Sequence, residues 1–190
     1  FYYNNFLFHV IGCDTGFGHE LAKRLDSLGF HVFAGCLKPT DNGAQKLRSS
    51  CSDRLEIVEL DVTDEKMVSE TAKHVKTHLD DHNIQFWALV NNAGVATFAE
   101  QEFCPVSEVQ RMFEVNVFGT MRLTKAFLPL LRAGKGRIVF VASYAGRLTI
   151  SGLVGYSMTK HAVISYADGI RNEMRDWGVQ TVLIEPSLYQ

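Results

Sequence analysis

The sequence has few of the residues that mark a metal site, a disulfide framework or a nucleic-acid-binding surface. Its four cysteines include no CxxC pair, and its seven histidines form no HExxH or similar cluster. We therefore expect free, mostly buried thiols and no bound metal. Nineteen Lys and Arg stand against 21 Asp and Glu, with a formal net charge of −2. This balance predicts no nucleic-acid partner.

The first ten residues, FYYNNFLFHV, are aromatic and uncharged, but they are too short to cross a bilayer and carry no basic leader. The chain begins without Met, and its other end, IEPSLYQ, stops directly after an apparent strand. We therefore expect a chain truncated at both ends, and membrane association through the missing termini stays open.

The 190 residues are 46% hydrophobic and 21% charged, which is typical of one well-buried globular domain. We assign residues 1–190 to a single domain, because no linker, repeat or low-complexity tract divides them. Six near-continuous apolar runs predict strands at Phe6–Ile11, Phe30–Cys36, Leu55–Leu60, Phe86–Val90, Arg137–Ala142 and Gln180–Ile184.

Segments of helical periodicity separate these runs. The predicted helices are a stripe of Phe17, Leu21, Leu25 and Leu28 ending at Gly29, a short helix over Ala44–Ser50, a stripe of Val68, Ala72, Val75 and Leu79, and two long helices over Ser107–Leu131 and Leu153–Trp177. Strands without polar alternation are covered on both faces. The alternation predicts an α/β fold with a doubly wound parallel sheet, the Rossmann fold.

Three glycines follow the first predicted strand in the stretch IGCDTGFG. Gly12, Gly16 and Gly18 have the spacing GxxxGxG at the start of a predicted helix. Glycines there permit a tight turn and close approach of a diphosphate to the helix N-terminus. A tight β-α turn with no ligand is the simpler alternative.

Two further motifs end predicted strands. LDVTD places Asp61 after the third strand, where it either caps the next helix or faces the crevice of a doubly wound sheet. VNNAG places Asn91 and Asn92 after the fourth strand, and buried amides there need hydrogen-bond partners.

Asn116 interrupts an apolar helix, so it is either a backbone tie or a site residue.

The stretch GYSMTK places Tyr156 and Lys160 four residues apart, on one face of a predicted helix. A lysine packed beside an aromatic ring is the ordinary interpretation of such a pair. Ser143, at the end of the fifth strand, lies 13 residues before the tyrosine.

Taken together and in this order, these motifs resemble the short-chain dehydrogenase/reductase family over essentially the whole chain. Longer stretches, among them WALVNNAGVATFAEQEF and TKAFLPLLRAGKGRIV, resemble the branch that holds D-3-hydroxybutyrate, retinol and 17β-hydroxysteroid dehydrogenases. The resemblance implies that Tyr156 is the general acid/base and that Lys160 lowers its pKa and holds the nicotinamide ribose. It also implies that Ser143 binds the substrate oxygen and Asn116 a water.

The resemblance further implies a nicotinamide cofactor. The residues assigned to it are Gly12, Asp14, Gly16, Phe17, Gly18, Cys36, Lys38, Asp61, Val62, Asn91, Asn92, Ala93, Gly94, Tyr156, Lys160, Pro186 and Ser187. Three departures from the family stand out. Ile11 replaces its Thr, Pro186-Ser187 replaces its Pro-Gly, and the sequence ends at Gln190, before the segment that in the family normally closes over substrate.

NAD is favoured, with NADP as the alternative. Thr15 replaces the basic residue of NADP users, whereas Cys36 stands where NAD users place an aspartate and Lys38 lies nearby to accept a phosphate. The activity implied is hydride transfer between the cofactor and a secondary or allylic alcohol or its carbonyl, with a lipid-like substrate. A non-catalytic dinucleotide-binding sensor is the competing class.

The resemblance also implies a homodimer or homotetramer that pairs the two long helices with their copies. Val163, Ala167, Ile170 and Met174 form a stripe on the second of these helices, which more often indicates core than interface. An intracellular location, mitochondrial or in the endoplasmic reticulum, is expected by resemblance.

Overall fold

The computed structural model describes residues 5–187, and its strands agree with the predicted ones to within one residue at each end. They are β1 Phe6–Ile11, β2 His31–Cys36, β3 Leu55–Glu59, β4 Gln85–Asn91, β5 Arg137–Val141 and β6 Gln180–Ile184. The α-helices are α1 Gly16–Ser27, α2 Asn42–Ser50, α3 Glu65–His82, α4 Val106–Phe113, α5 Thr120–Gly134 and α6 Val154–Met174. Phe1–Asn4 and Leu188–Gln190, which include parts of both predicted chain ends, lie outside the described residues.

The six strands form one sheet in the order β3-β2-β1-β4-β5-β6, and every neighbouring pair is parallel. The strand order reverses between β1 and β4, which opens a crevice at the carboxyl ends of these two strands. The predicted doubly wound α/β fold is therefore confirmed, and the crevice is where a ligand of such a sheet binds.

Helices cover the sheet on both faces and give it two apolar cores. One lies beneath α3, α5 and α6 and includes the fully buried Phe33, Phe86, Phe127 and Phe140. The other lies beneath α1 and α2. The α6 stripe of Val163, Ala167, Ile170 and Met174 is buried in the first core, so it is core, as its spacing favours.

The face of α1 that packs on the sheet agrees only in part with the predicted stripe, since Leu25 is buried and Leu21 packs against the core but the other two residues are exposed. Phe17 is 56% exposed and Leu28 42% exposed. The buried face is instead made of Gly18, His19, Ala22, Leu25 and Asp26. A Cβ at Gly18 would lie 2.3 Å from the carbonyl oxygen of Gly12. At its N-terminal end the helix approaches so closely that Gly18, rather than the neighbouring Phe17, faces inward.

The long helix predicted over Ser107–Leu131 is interrupted. A π-helical segment, Glu114–Gly119, separates α4 from α5. A Cβ at Gly119 would lie 2.5 Å from Cγ2 of Val62, so the chain passes tightly against the segment after β3 at this point. Asn116 lies inside the π-helical turn, where a widened helix redirects side chains and functional residues recur.

No helix within residues 5–187 is both long and apolar enough to cross a membrane. The same residues contain no cluster of three or more His, Cys, Asp and Glu side chains arranged to hold a metal ion. Cys13, Cys36 and Cys104 are buried and Cys51 is partly buried, and all four are free thiols, as the sequence predicts.

His9, in the centre of β1, is a fully buried histidine between aromatic rings. Its ring centroid lies 5.2 Å from that of Phe127 and 6.2 Å from that of Phe33. Neither ring nitrogen has a hydrogen-bond partner among the described residues. Burial, helped by nearby His74, lowers the pKa of His9 to about 3, because the charged ring has no solvent or acceptor to stabilise it.

We predict that His9 makes the fold sensitive to acid. In the unfolded chain a histidine titrates near pH 6.5. Below that pH the unfolded state therefore binds a proton at His9, whereas in the folded state His9 stays neutral. The stability that the neutral His9 allows the folded state is fully present above pH 6.5, and it is lost as the pH falls below that value. Between pH 8 and pH 5 it should lower the free energy of unfolding by about 2 kcal/mol.

Urea unfolding at the two pH values measures this loss. The variant His9→Met should lack about 2 kcal/mol of the pH dependence, whereas a matched control on the exposed surface of α6, His161→Met, should retain it. Equal pH dependence in the unmodified protein and His9→Met would contradict the assignment.

Candidate active site

The β1–α1 turn is built by glycines, of which Gly12 is closely packed by its neighbours and Gly16 is not. Gly12 and Gly16 have φ of 77° and 65°, in the left-handed region that favours glycine. A Cβ at Gly12 would lie 2.9 Å from Cα of Ala93, whereas one at Gly16 would meet nothing within 4 Å. The turn is thus packed against the end of β4 at Gly12 and open at Gly16. Gly16 lies at the N-terminus of α1, where a diphosphate is favoured.

Asn92 ties the end of β4 to this turn. Its Nδ2 donates to the carbonyl oxygens of Ile11 and Gly12 at 3.0 and 3.1 Å. Asn91 turns the other way and is buried, its Nδ2 donating to Oγ1 of Thr124 at 3.2 Å. Of the two predicted asparagines, Asn92 therefore shapes the crevice and Asn91 packs beneath α5.

Asn116 is a backbone tie in this structure. Its Oδ1 accepts from the backbone N–H of Val95 at 2.8 Å, and its Nδ2 donates to the carbonyl of the same residue at 2.9 Å. The Nδ2 also donates to Oγ1 of Thr159 at 3.0 Å. The side chain is 1% exposed, so its amide holds the β4–α4 loop and α6 together. Both hydrogens of Nδ2 are used, so a water at this side chain would have to donate to the second lone pair of Oδ1.

Ser143 and Tyr156 meet at the carboxyl end of β5. Ser143 begins a short 3₁₀ turn, Tyr144–Gly146, and its Oγ accepts from the N–H of Ala145 at 3.1 Å. A Cβ at Gly146 would lie 2.9 Å from the carbonyl oxygen of Lys160, so the turn packs directly on α6. Burial raises the pKa of Tyr156, and its hydrogen bond with the Ser143 hydroxyl opposes that rise.

Lys160 is a buried cation beside the tyrosine. It is 5% exposed, and its Nζ donates to the carbonyl of Val141 at 2.9 Å. The Nζ lies 5.6 Å from the centre of the Tyr156 ring. Burial lowers the pKa of Lys160 to about 8. The expected lowering of the Tyr156 pKa by Lys160 is not found, because burial dominates and the ammonium points to a carbonyl rather than to the phenol oxygen.

Two adjoining cavities follow the carboxyl edge of the sheet. One, of about 330 Å³, lies between the glycine turn and the residues after β3. The other, of about 420 Å³, contains Ser143, Tyr156 and Lys160. They share Phe17, Asn92, Gly94 and Val95 among their lining residues. Together they form a continuous groove, hereafter the crevice, with Ser143, Tyr156 and Lys160 at one end.

Most of the predicted site residues line the crevice. These are Gly12, Asp14, Phe17, Asp61, Val62, Asn92, Ala93, Gly94, Ser143, Tyr156, Lys160, Pro186 and Ser187. Gly16 and Gly18 shape the turn beside it. The predicted residues that do not line it are these two glycines and Cys36, Lys38, Asn91 and Asn116.

Asp61 lines the crevice and does not cap the following helix. Its Oδ1 accepts from the N–H and the hydroxyl of Thr63 at 2.8 and 2.7 Å. The cap of α3 is Asp64, whose carboxylate accepts from the N–H of Met67. The helix-cap interpretation of Asp61 is therefore wrong. Its carboxylate lies beside the cavity and is held by the two hydrogen bonds from Thr63.

The end of β2 differs from the prediction. Cys36 is fully buried in the core beneath α1 and α2, so its side chain does not face the crevice. The carboxylate of Asp14 reaches this strand end instead and accepts from the N–H groups of Leu37 and Lys38, each at 3.1 Å. The Lys38 side chain is exposed.

Several site residues carry no motif and were not predicted. Val95 and Thr159 are the partners of Asn116, and Leu37 and Phe98 line the crevice. Only Thr159 has a sequence signal, since a small polar residue beside Lys160 in an apolar helix needs a partner. The others are apolar residues whose position depends on contacts distant in sequence.

The family described as short chain dehydrogenase matches residues 7–190. The chain belongs to the short-chain dehydrogenase family.

Its similar proteins include two kinds of dehydrogenase. It is 43% identical to the mitochondrial D-beta-hydroxybutyrate dehydrogenase of Bos taurus over 93% of this chain and 52% of that protein. It is 42% identical to estradiol 17-beta-dehydrogenase 2 of Rattus norvegicus over 95% of this chain and 47% of that protein. The chain thus spans about half the length of the curated relatives it matches.

Solved structures agree with the fold. A short-chain dehydrogenase from Streptomyces avermitilis has a TM-score of 0.88 and 30% identity, over 97% of this chain and 66% of that one. A short chain dehydrogenase from Burkholderia cenocepacia, solved in complex with NADP, has a TM-score of 0.82 and 27% identity, over 95% of this chain and 71% of that one.

Proposed function

We propose that this chain is the dinucleotide-binding and catalytic part of an NAD(P)-dependent oxidoreductase, as a single domain over residues 1–190. It interconverts a secondary or allylic alcohol and its carbonyl. The observation that carries the proposal is the placement of Ser143, Tyr156 and Lys160 in one cavity that adjoins the open glycine turn. Family membership and the dehydrogenase relatives support it.

A nicotinamide dinucleotide fits the crevice. The open space above Gly16 and the N-terminus of α1 suit its diphosphate, and the cavity beside Asp61 and Val62 suits its adenosine. Pro186 and Ser187 line the other cavity, next to Lys160. Such a cofactor supplies the hydride chemistry.

In the proposed mechanism Tyr156 moves the proton and Ser143 orients the substrate oxygen. The phenol of Tyr156 donates its proton to the forming alkoxide in reduction and takes it back in oxidation. The raised pKa of Tyr156 keeps the phenol protonated at neutral pH, which suits the acid role. Lys160 holds the ribose and supplies a positive charge near the phenolate that oxidation requires.

Asn116 acts as a positioning residue in this proposal. Its amide fixes Val95 and therefore the adjoining Gly94, where a Cβ would lie 3.5 Å from Nζ of Lys160. It also holds Thr159, the residue before that lysine in α6. The water that the resemblance assigns to Asn116 remains a prediction.

We predict that Tyr156→Phe lowers turnover by about 10²- to 10⁴-fold, since the ring stays packed while the proton-transferring hydroxyl is lost. Dinucleotide affinity should change little. Steady-state rates and a fluorescence titration of the dinucleotide measure the two effects. The control Tyr166→Phe removes a hydroxyl from the same helix outside the crevice and should keep turnover. Near-normal turnover in Tyr156→Phe would exclude Tyr156 as the acid/base.

A non-catalytic dinucleotide sensor is the second candidate and is less well supported. A sensor needs the glycine turn, but it has no use for a serine, a tyrosine and a buried lysine gathered at the far end of the crevice. Burying the Lys160 ammonium with a single carbonyl partner is unfavourable, so a function for that charge is the simpler explanation. Dinucleotide binding without turnover of any alcohol would favour the sensor.

We further propose an apolar, lipid-like substrate. The cavity around Tyr156 is lined by the apolar side chains of Val95, Phe98, Ile150 and Leu153. Among its described lining residues, Lys160 alone carries a cationic side chain, and that ammonium bonds to the carbonyl of Val141. A hydroxysteroid or retinol fits this lining better than hydroxybutyrate, whose carboxylate asks for a free cation.

A panel of 3-hydroxybutyrate, retinol and estradiol tests this preference. We expect kcat/KM to be highest for retinol or estradiol and at least about tenfold lower for hydroxybutyrate, because a buried carboxylate without a cation is penalised. Leu153→Asp should lower kcat/KM for the apolar alcohols, and the exposed α3 substitution Thr77→Asp should not. Highest activity with hydroxybutyrate would contradict the apolar assignment.

We propose that the protein forms a homodimer or homotetramer through the α4–α5 region and α6. The resemblance supports this, as does Phe118, which is 43% exposed within the π-helical segment. It borders a cavity of about 430 Å³ formed with Val68, Met121 and Lys125, among others. The buried α6 stripe belongs to the core and does not contribute.

Sedimentation velocity at micromolar concentration should show the dimer or tetramer. Phe118→Glu should shift it toward monomer, because a charge buried in an apolar contact is unfavourable, whereas Phe103→Glu, at an exposed loop position outside this region, should not. A monomeric unmodified protein would refute the proposal.

An organelle location is also proposed, supported by the mitochondrial relative. Fluorescence microscopy of the tagged protein tests it, and a diffuse cytosolic signal would count against it.

A further inference from the structure

The carboxylate of Asp14 crosses from the glycine turn to the end of β2. Its Oδ2 accepts from the N–H of Leu37 and its Oδ1 from the N–H of Lys38, both at 3.1 Å. These partners are 23 and 24 residues away in sequence. A negative charge therefore sits at the strand end next to the crevice, although no acidic residue belongs to that strand end itself.

The main chain of Asp14 is fixed from a second side. A Cβ at Gly43 would lie 1.8 Å from the carbonyl oxygen of Asp14, so the start of α2 packs directly on this residue. With its backbone held by α2 and its carboxylate held by two N–H groups, the side chain has one well-defined position.

This position faces the dinucleotide end of the crevice. Asp14 and Leu37 line the cavity of about 330 Å³ together with Leu60 and Asp61. Each carboxylate oxygen accepts one hydrogen bond from the backbone, and a carboxylate oxygen has room for a second donor. A ribose hydroxyl is such a donor.

We propose that Asp14 selects NAD over NADP, by accepting a hydrogen bond from an adenosine ribose hydroxyl and repelling a 2′-phosphate. This inference rests on the proposed function. It assigns the discrimination between NAD and NADP to the glycine turn, because Cys36, at the end of β2, is buried in the core and cannot contact the cofactor. The charge acts at that strand end, since burial first and Asp14 second raise the pKa of Cys36 to about 12.

Two cations oppose this effect and must be separated from it. The side chain of Lys38 is exposed beside the carboxylate. Arg48, on α2, donates from Nη1 to the carbonyl oxygen of Pro39 at 3.2 Å. Neither contacts the Asp14 carboxylate through its side chain in the described structure, so that carboxylate is not neutralised by an ion pair.

Titration of both dinucleotides against the unmodified protein and Asp14→Asn tests the proposal. The unmodified protein should bind NAD about tenfold or more tighter than NADP. In Asp14→Asn the amide keeps the size of the side chain and loses its charge, so the NAD/NADP affinity ratio should fall about tenfold. Thermal unfolding of the variant in the absence of nucleotide establishes that it is folded.

Asp41→Asn is the matched control. Asp41 is an exposed carboxylate in the same β2–α2 segment, and its side chain makes no capping hydrogen bond. It should leave the ratio within about twofold, because an exposed charge is screened. If both substitutions changed the NAD/NADP ratio equally, the change would be explained by the loss of one negative charge anywhere in this region, and the inference would be overturned. An unchanged ratio in folded Asp14→Asn would also overturn it, as would tighter NADP binding by the unmodified protein.

A second probe needs no variant and decides the matter if Asp14→Asn fails to fold. NAD that lacks the 2′-hydroxyl of its adenosine ribose should bind the unmodified protein about fivefold more weakly than NAD, the scale of one hydrogen bond. Equal affinities would contradict the contact. If neither dinucleotide binds at all, the proposed function fails too. If NAD binds and only the selectivity tests fail, the proposed function stands and this inference falls.

Discussion

The close approach of the β1–α1 turn to the end of β4 is the constraint on which the rest of the site depends. A side chain at Gly12 would collide with Ala93, and one at Gly18 would collide with the carbonyl of Gly12. Asn92 then closes the contact with two hydrogen bonds to the same turn. Because neither strand end can move without breaking this packing, the crevice between them is fixed before any ligand binds. That preorganisation lowers the conformational cost of holding a dinucleotide.

The other half of the crevice is held by one buried amide rather than by glycines. Asn116 uses both ends of its side chain to join Val95 to Thr159, and this joins the loop after β4 to the helix that carries Tyr156 and Lys160. A buried amide with all its partners is specific, because any shift leaves polar groups unpaired. The π-helical turn around Asn116 gives the side chain the direction that these bonds need.

The sequence predicts the strands better than it predicts the helix faces or the reach of side chains. Apolar runs covered on both faces are nearly independent of their surroundings, so every strand end lies within one residue of its prediction. Of the predicted α1 stripe, Leu25 is buried and Leu21 packs against the core. Phe17 and Leu28 are exposed instead, because tight packing selects Gly18 and Ala22 for the inward face, which no hydrophobic pattern shows. The long helix is broken by the π-helical segment Glu114–Gly119, and the apolar periodicity of the sequence does not predict this break.

Site residues divide in the same way. Ser143, Tyr156 and Lys160 are predicted together because their order and spacing resemble the family's motif, and the structure places all three in one cavity. Cys36 was assigned by its place in a motif, and it lies in the core, while the carboxylate that reaches that strand end comes from Asp14, more than twenty residues earlier. A motif position fixes where the backbone lies, whereas charge at a site is supplied by whichever side chain the fold brings there. Selectivity is therefore the property that a position-by-position comparison predicts least well, and the contacts of the folded chain are needed to assign it.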